Sequence, residues 1–401
     1  MSPQTGGGPP TRTASTVTDA VQEISGNFSY LNAKCGENYS PMKLPSSNPQ
    51  GSKVETLPPL EQTDLFTPIV GEDRLSQGFK RVAETKGYGT ARVMLQRAFD
   101  AMGPRDPNFV EQFQTTGFDQ RVNELYMFEA FRSAGLNPTF EHEAPDFMLD
   151  GHGSRWAVEA TTANPSEGGA PQPLPEDEDE LRDFLENEVP IRFGSALLSK
   201  LKREYWNLPH LEGMPLVLAV QSFALDDLHQ VNDTSLISYL YGLRTSGSIG
   251  ADGTLEVEAR EIHEHVGSKE IPSGFFKLPG AENVAAILWT NSGTVGKFLR
   301  MGFQEGVNPD GLVAMLRTGN RLDPDPNAAV PARFTYEVGT RWEHWYEGLV
   351  LAHNPDAVNP LPDDAFPQII QHRLRDDGLI GHTMPAFHAY SSLTVPVVVK
   401  E

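Results

Sequence analysis

Three carboxylates, Glu124, Asp146 and Glu159, fall in one stretch of the sequence, residues 118–163. Carboxylates that are brought together repel each other and raise each other's pKa unless a divalent cation neutralises them. Mg²⁺ is a hard cation that prefers carboxylate, water and phosphate oxygens. The group therefore predicts a Mg²⁺ site, with Mn²⁺ as a substitute, that could activate water against a phosphate ester.

Glu124 lies in a predicted amphipathic helix. Leu125, Phe128 and Phe131 form its apolar stripe at helical spacing, and Glu124 lies beside that stripe. A carboxylate in this position is partly desolvated, which is costly without a partner or a cation. The alternative to a metal ligand is an ion pair at the rim of the helix, with Arg121 as the partner.

Asp146 and Glu159 lie on two predicted strands that are joined by the turn sequence DGHG. Asp146 follows Pro145 at the start of the first strand. On the second strand, alternation places Glu159 on the same face as Ala157 and Thr161. Neighbouring strands would bring Asp146 and Glu159 together, and a helix packed on the sheet could bring Glu124 within reach.

This arrangement resembles the PD-(D/E)XK nuclease superfamily, which has a restriction-endonuclease-like fold. The resemblance is carried by Glu124 in a first helix, by Pro145-Asp146 on a strand, and by Glu159-Ala160-Thr161 after a hairpin. It covers residues 118–224 and implies hydrolysis of phosphodiesters in nucleic acid, DNA in preference to RNA. It also implies that Glu124, Asp146 and Glu159 are metal ligands.

The chain departs from the family pattern at one position, since Thr161 stands where the motif has a lysine. In the family that lysine positions the attacking water and stabilises charge at the phosphate, and some members supply it from the helix after the hairpin. The predicted helix SALLSKLKREYW follows the hairpin here and carries Lys200 and Lys202. The resemblance therefore implies that one of these two lysines is catalytic, with ordinary surface lysines as the alternative.

The elements around the motif predict a mixed α/β fold, a central sheet flanked by helices. Helical patterns precede the motif, and residues 120–224 are predicted to run helix, strand, strand, helix, strand. Residues 1–65 are rich in Gly, Pro and Ser and predict a disordered or loosely attached arm, and residues 66–245 predict the nuclease-like core. Residues 246–401 predict a sheet-rich region, which is either a second domain or an extension of the first sheet.

The composition limits the partners. A formal net charge of −22 disfavours bulk electrostatic binding of nucleic acid, although a bound cation or a local basic strip could offset it.

The sequence has no apolar run long enough to predict a transmembrane helix and no secretory signal pattern at its start. The single cysteine, Cys35, excludes an internal disulfide and favours the cytoplasm. The sequence is compatible with a homodimer but does not set the oligomeric state.

Two other stretches carry residues that could do chemistry. His263 and His265 form an HxH pair in a strand-like segment, where both imidazoles would face one side and could bind a metal, or could simply be solvated. Residues 291–302 open a helix in which Ser292 or Thr294 could act as a cap, or whose N-terminus could contact a phosphate.

Three functions follow, in order of preference. The first is a Mg²⁺-dependent nuclease. The second is a nuclease-like domain that no longer cuts and serves in binding or assembly, which the missing motif lysine and the acidic charge favour. The third is a small-molecule hydrolase with a metal at His263 and His265.

Overall fold

The strand that carries Glu159 is the third strand of an eight-stranded mixed sheet in the computed structural model of the chain. The sheet order is β1-β2-β3-β4-β9-β12-β13-β14. These strands are β1 (Asn137–Thr139), β2 (Phe147–Gly151), β3 (Ser154–Ala163), β4 (Leu216–Ser222), β9 (Ala286–Thr290), β12 (Leu349–His353), β13 (Ile370–Leu374) and β14 (Ile380–His382). The structure describes residues 64–397 except for 104–105, 164–174, 223–232, 253–254, 324, 326–327, 329–330, 384 and 386.

Helices cover both faces of this sheet. They are α1 (Gln77–Glu84), α2 (Gly89–Met102), α3 (Phe109–Gln114), α4 (Phe118–Ser133), α5 (Glu178–Asp183), α6 (Val189–Leu201), α7 (Thr234–Tyr241) and α8 (Val295–Gln304). The buried side chains of α1 to α4 and α8 form one core on the first face of the sheet. Those of α6 and α7 form a second core on the other face. The prediction of a mixed α/β fold with a central sheet flanked by helices is therefore confirmed.

The hairpin between β2 and β3 is closed by a two-residue turn. His152 has φ +51° and Gly153 has φ +78°, which are the left-handed values that a type I′ turn requires. This turn fixes the antiparallel register, in which Gly151 pairs with Ser154 and Phe147 pairs with Val158. As a result Asp146 and Glu159 face each other across the two strands, as the sequence predicted.

The central elements follow the predicted order with two additions, helix α5 before α6 and a strand before the hairpin. A short edge strand, β1, precedes the hairpin and pairs antiparallel with β2. It contains Pro138, which has no backbone N–H. An edge strand tolerates proline because one of its two sides has no partner strand that needs this donor. Beyond the hairpin, β4 runs parallel to β3, and β9 runs parallel to β4.

The C-terminal half extends the first sheet, which answers a question that the sequence left open. β9, β12, β13 and β14 all come from this half and complete the eight-stranded sheet. The remaining strands form a three-stranded sheet and two ladders: β10 (Ala314–Arg321), β11 (Ala332–Glu337) and β15 (Ala389–Val397), then β5 (Leu243–Ile249) with β6 (Leu255–Glu261), and β7 (Glu264–Val266) with β8 (Glu270–Pro272). The described residues between 64 and 397 belong to one compact unit.

The predicted arm, residues 1–65, lies outside the described residues except for its last two positions.

No helix within the described ranges is long and apolar enough to cross a membrane.

Candidate functional site

Asp146 and Glu159 are tied together by the backbones of β2 and β3. The backbone N–H of Ala160 donates to Oδ2 of Asp146 at 2.8 Å. In return the N–H of Asp146 donates to Oε2 of Glu159 at 3.2 Å. Each carboxylate is therefore held by the neighbouring strand, and the two acids form one site at the start of the hairpin.

Lys200 reaches this site from the end of α6. Its Nζ atom lies 2.5 Å from Oε1 of Glu159, and both side chains are largely buried. Side chains alternate along a strand, so Glu159 points to the same face as Ala157, which packs in the core formed by α6 and α7. Helix α6 covers that face, which explains how a residue 41 positions downstream contacts Glu159.

Tyr205 is a further member of the site that sequence reasoning missed. Its hydroxyl donates to Oε1 of Glu159 at 2.6 Å. Burial, together with the adjacent Glu159 carboxylate, raises the pKa of Tyr205, so the phenol stays protonated and acts as a donor. Tyr205 belongs to the predicted helix SALLSKLKREYW, but α6 ends at Leu201 and Tyr205 begins a short 3₁₀ helix, Tyr205–Asn207. The signal was present, since a buried tyrosine needs a partner for its hydroxyl.

Charged groups of both signs meet at the site. Asp146 and Glu159 are carboxylates and Lys200 is an ammonium, while Tyr205 remains neutral. Arg203 adds a positive charge beside the Tyr205 hydroxyl. The carboxylate oxygens are the atoms of this site that could bind a hard cation.

Glu124 does not join this group. It lies on α4, whose buried residues pack with Val158 and Trp156 on the face opposite to the Glu159 side chain. Its Oε2 atom accepts from Arg121 Nη1 at 2.7 Å, and its Oε1 atom accepts from Gln120 at 3.3 Å. The predicted helix and the burial of Glu124 are confirmed, but its partner is Arg121, which was the alternative to a metal ligand.

The two predicted lysines differ in position. Lys202 is exposed at the C-terminal end of α6, whereas Lys200 faces the carboxylates.

Thr161, in the motif position of lysine, pairs with Val220 of β4 in the parallel ladder. Alternation puts its side chain on the same face as that of Glu159.

The HxH pair does not form a metal site. His265 is buried, its Nδ1 atom lies 2.8 Å from the Glu186 carbonyl oxygen, and its Nε2 atom lies 3.0 Å from the Ser273 hydroxyl. Burial lowers the pKa of His265, which agrees with a neutral structural histidine. His263 is exposed just before β7, so the expectation that both imidazoles face one side is wrong.

A second pair of histidines lies next to the acidic site and was not anticipated. The rings of His142 and His210 stack with their centroids 3.7 Å apart. Nε2 of His210 lies 2.8 Å from the carbonyl oxygen of Ala144, two residues before Asp146. Nothing in the local sequence pattern indicates this contact, because the two histidines belong to segments that meet only in the folded chain.

Across the described ranges, no three His, Cys, Asp or Glu side chains are grouped so that they alone could hold a metal ion. A metal at Asp146 and Glu159 would thus be bound by two carboxylates and complete its coordination with water or substrate. Comparison of the chain with protein-family models, with curated proteins and with solved structures finds no match.

Proposed function

We propose that the protein is a Mg²⁺-dependent nuclease whose active site consists of Asp146, Glu159 and Lys200. The observation that carries the proposal is the contact of 2.5 Å between Lys200 Nζ and Glu159 Oε1, beside a carboxylate on the adjacent strand. Two acids and a lysine are the chemical groups that the motif requires, although the lysine comes from another element.

The donor set fits Mg²⁺. This ion usually binds one or two protein carboxylates and keeps several waters or takes substrate phosphate oxygens. Asp146 and Glu159 would hold it, and Glu124 is not needed for this coordination. When bound, the ion would neutralise charge on the phosphate and lower the pKa of a bound water.

Lys200 supplies what the motif lysine supplies in the resembling family. An ammonium beside the carboxylates can donate to a non-bridging phosphate oxygen and stabilise the charge that develops there. Tyr205 keeps Glu159 in place through its 2.6 Å hydrogen bond, so it is a positioning residue. Lys202 and Arg203, both exposed just after Lys200, provide local positive charge for a nucleic acid backbone despite the acidic chain.

The proposal includes a restriction-endonuclease-like core formed by α4, the β2–β3 hairpin, α6 and β4. What supports it is the succession of a helix, a hairpin that carries both acids, and a following helix that carries the lysine. The helices before and after the hairpin cover opposite faces of the sheet. DNA remains the proposed substrate in preference to RNA.

A second function is favoured by a specific observation. Lys200 and Tyr205 both donate to Oε1 of Glu159, so the protein itself already neutralises this carboxylate. In a domain that binds or assembles without cutting, Lys200 could neutralise Glu159 in place of a bound metal ion. The chain would then be a nuclease-like binding module.

The deciding experiment is cleavage of plasmid, linear DNA and RNA by purified protein with Mg²⁺, with Mn²⁺ and with chelator. We expect cleavage that needs the metal and falls at least about 100-fold in Asp146→Asn and in Glu159→Gln. Asp150→Asn is the matched control, since Asp150 is a half-exposed acid of β2 that pairs with Arg155 at 3.3 Å. Undiminished cleavage in both site variants would refute the nuclease, and DNA binding without cleavage under every metal would favour the module.

A further inference from the structure

A second cavity lies on the other face of the sheet, where β9 ends and α8 begins. Its volume is about 370 Å³, within the size range of small-molecule sites. The walls include Asn291, Ser292 and Thr294 from the loop after β9, Arg300 from α8, and Thr394 from β15. The residues that line it include no member of the Asp146–Glu159–Lys200 site. In parallel sheets, ligands commonly bind beyond the carboxyl ends of the strands, which is where this cavity opens.

Behind this cavity lies a buried cluster of charges centred on Glu343. Lys297 Nζ lies 2.7 Å from Glu343 Oε1, Arg300 Nε lies 2.8 Å from Oε2, and Arg317 Nη1 lies 3.2 Å from Oε1. All four side chains are almost completely buried. Three cations thus share one carboxylate, and the cluster has an excess of positive charge inside the protein.

The neighbouring charges do not remove this excess. Arg341 pairs with Glu347 at 2.8 Å, so these two groups cancel each other. Burial, opposed by Glu343 but reinforced by the nearby arginines, lowers the pKa of Lys297 to about 8. An unbalanced buried positive charge is costly, and an anion next to it would offset that cost.

Arg300 connects the cluster with the cavity. Its Nη1 atom donates to Thr394 Oγ1 at 2.7 Å, and both residues line the cavity wall. Helix α8 starts at the same wall, and its N-cap residue Thr294 makes no side-chain capping hydrogen bond. Thr294 thus occupies the predicted N-cap position without capping the helix through its side chain, and the first turn of α8 presents its positive end to the cavity.

Gly296 leaves space beside the guanidinium of Arg300. A Cβ atom at this position would lie 3.4 Å from Thr394 Oγ1, 3.6 Å from Thr294 Oγ1 and 3.7 Å from Arg300 Nη1. All three distances are ordinary contacts, so a methyl group fits without displacing the protein. It would, however, stand among the three polar groups that an anion in the cavity would use.

We propose that this cavity binds a phosphate monoester of nucleotide size. The phosphate would lie between Arg300, the first turn of α8 and Thr394. The rest of the cavity suits an attached ring, because Tyr88, Phe118 and Leu299 line it together with the polar pair Arg81 and Asp119. Asp119 could accept hydrogen bonds from sugar hydroxyls or a base amino group. This site is separate from the proposed nuclease site and does not depend on that function.

The test is isothermal titration calorimetry of the full chain with inorganic phosphate, adenosine 5′-monophosphate and adenosine. We expect one site for the monophosphate with a Kd below about 1 mM, weaker binding of phosphate, and no binding of adenosine in that range. Arg300→Gln should abolish binding, but it also disturbs the buried cluster and could unfold the protein.

Gly296→Ala separates binding from folding. Alanine favours a helix more than glycine does, so the thermal midpoint should stay the same or rise. The added methyl group should weaken binding of the monophosphate at least about tenfold. Equal affinity in Gly296→Ala and the unchanged protein would overturn the proposal, as would absence of binding by both phosphate and the monophosphate.

Discussion

The ammonium of Lys200 lies 2.5 Å from Oε1 of Glu159, although 41 positions separate the two residues along the chain. The contact exists because α6 packs on the face of β3 from which Glu159 projects. Thr161 stands where the motif that the sequence resembles has a lysine, whereas in the folded chain Lys200 contacts Glu159. The site must therefore be judged by its geometry and not by the spacing of the motif.

Lys200 and Lys202 form a matched pair for mutagenesis, because they share one helix and differ in direction. Lys200→Met should reduce Mg²⁺-dependent DNA cleavage about 100-fold or more, since it removes a charge next to the reacting phosphate. Lys202→Met, on the exposed end of α6, should weaken DNA binding but leave the cleavage rate of bound DNA within about twofold, because Lys202 supplies charge to the backbone and does not contact the carboxylates. Single-turnover rates at saturating protein would check both. Equal losses in the two variants would show that Lys200 acts only through general charge.

Glu124→Gln should affect stability and not the metal requirement. Glu124 accepts from Arg121 at 2.7 Å, and its neutralisation weakens a buried charged hydrogen bond. We expect the free energy of unfolding to fall by about 1–3 kcal/mol. Urea denaturation measures the loss, and a titration of cleavage against Mg²⁺ should give an unchanged half-saturation. A well-folded variant that cleaves as poorly as Asp146→Asn would instead place Glu124 among the metal ligands.

Glu343→Gln should destabilise the protein by about 3–5 kcal/mol, because it leaves three buried cations without their carboxylate. The Arg300, Arg317 and Lys297 charges hold the pKa of Glu343 well below its usual range, so the side chain is charged in the folded state. Glu337→Gln is the control, as Glu337 is exposed at the end of β11. Urea midpoints of the two variants should differ clearly. Similar midpoints would mean that the cluster is not held together by charge.

Stability should fall when the pH is lowered from 7 to 5. Burial lowers the pKa of His353 and of His388 to about 4 each, from a usual value of 6.5. Below pH 6.5 these two histidines bind protons in the unfolded chain, whereas in the folded chain they do so only near pH 4. The free energy of unfolding therefore falls across that pH range. Each histidine should lower the free energy of unfolding by about 2 kcal/mol when the pH falls from 7 to 5. Urea unfolding at both pH values checks this, and His353→Gln should have a smaller difference; an identical difference would exclude His353 as a source.

The sequence could predict the parts of the site that depend on local pattern. Alternation and the turn sequence placed Asp146 opposite Glu159, and the resemblance implied that a lysine of the helix after the hairpin would reach them. It could not show that α4 and α6 cover opposite faces of the sheet, and this is why Glu124 and Lys200 end up in different surroundings. The side of a sheet on which a helix packs depends on the whole core, so the sequence of the helix alone does not predict it.

The same limit applies to long-range polar contacts. Lys297 reads as a surface lysine on a short helix, yet it is fully buried against Glu343, 46 positions away. His142 and His210 meet only because the loop between β1 and β2 lies against the segment after α6. Residues 246–401 were predicted to be rich in strands, but which of these strands join the first sheet depends on pairing partners that periodicity does not identify, and β13 and β14 were not predicted.

The position of β9 has a consequence for synthesis on the ribosome. β4 lies between β3 and β9, so its second edge stays open until residues 286–290 have been made. An open, apolar strand edge is prone to pair with other chains. The acidic site can therefore be completed early in translation, whereas a chain truncated before β9 would carry an unpaired strand edge in place of a finished sheet.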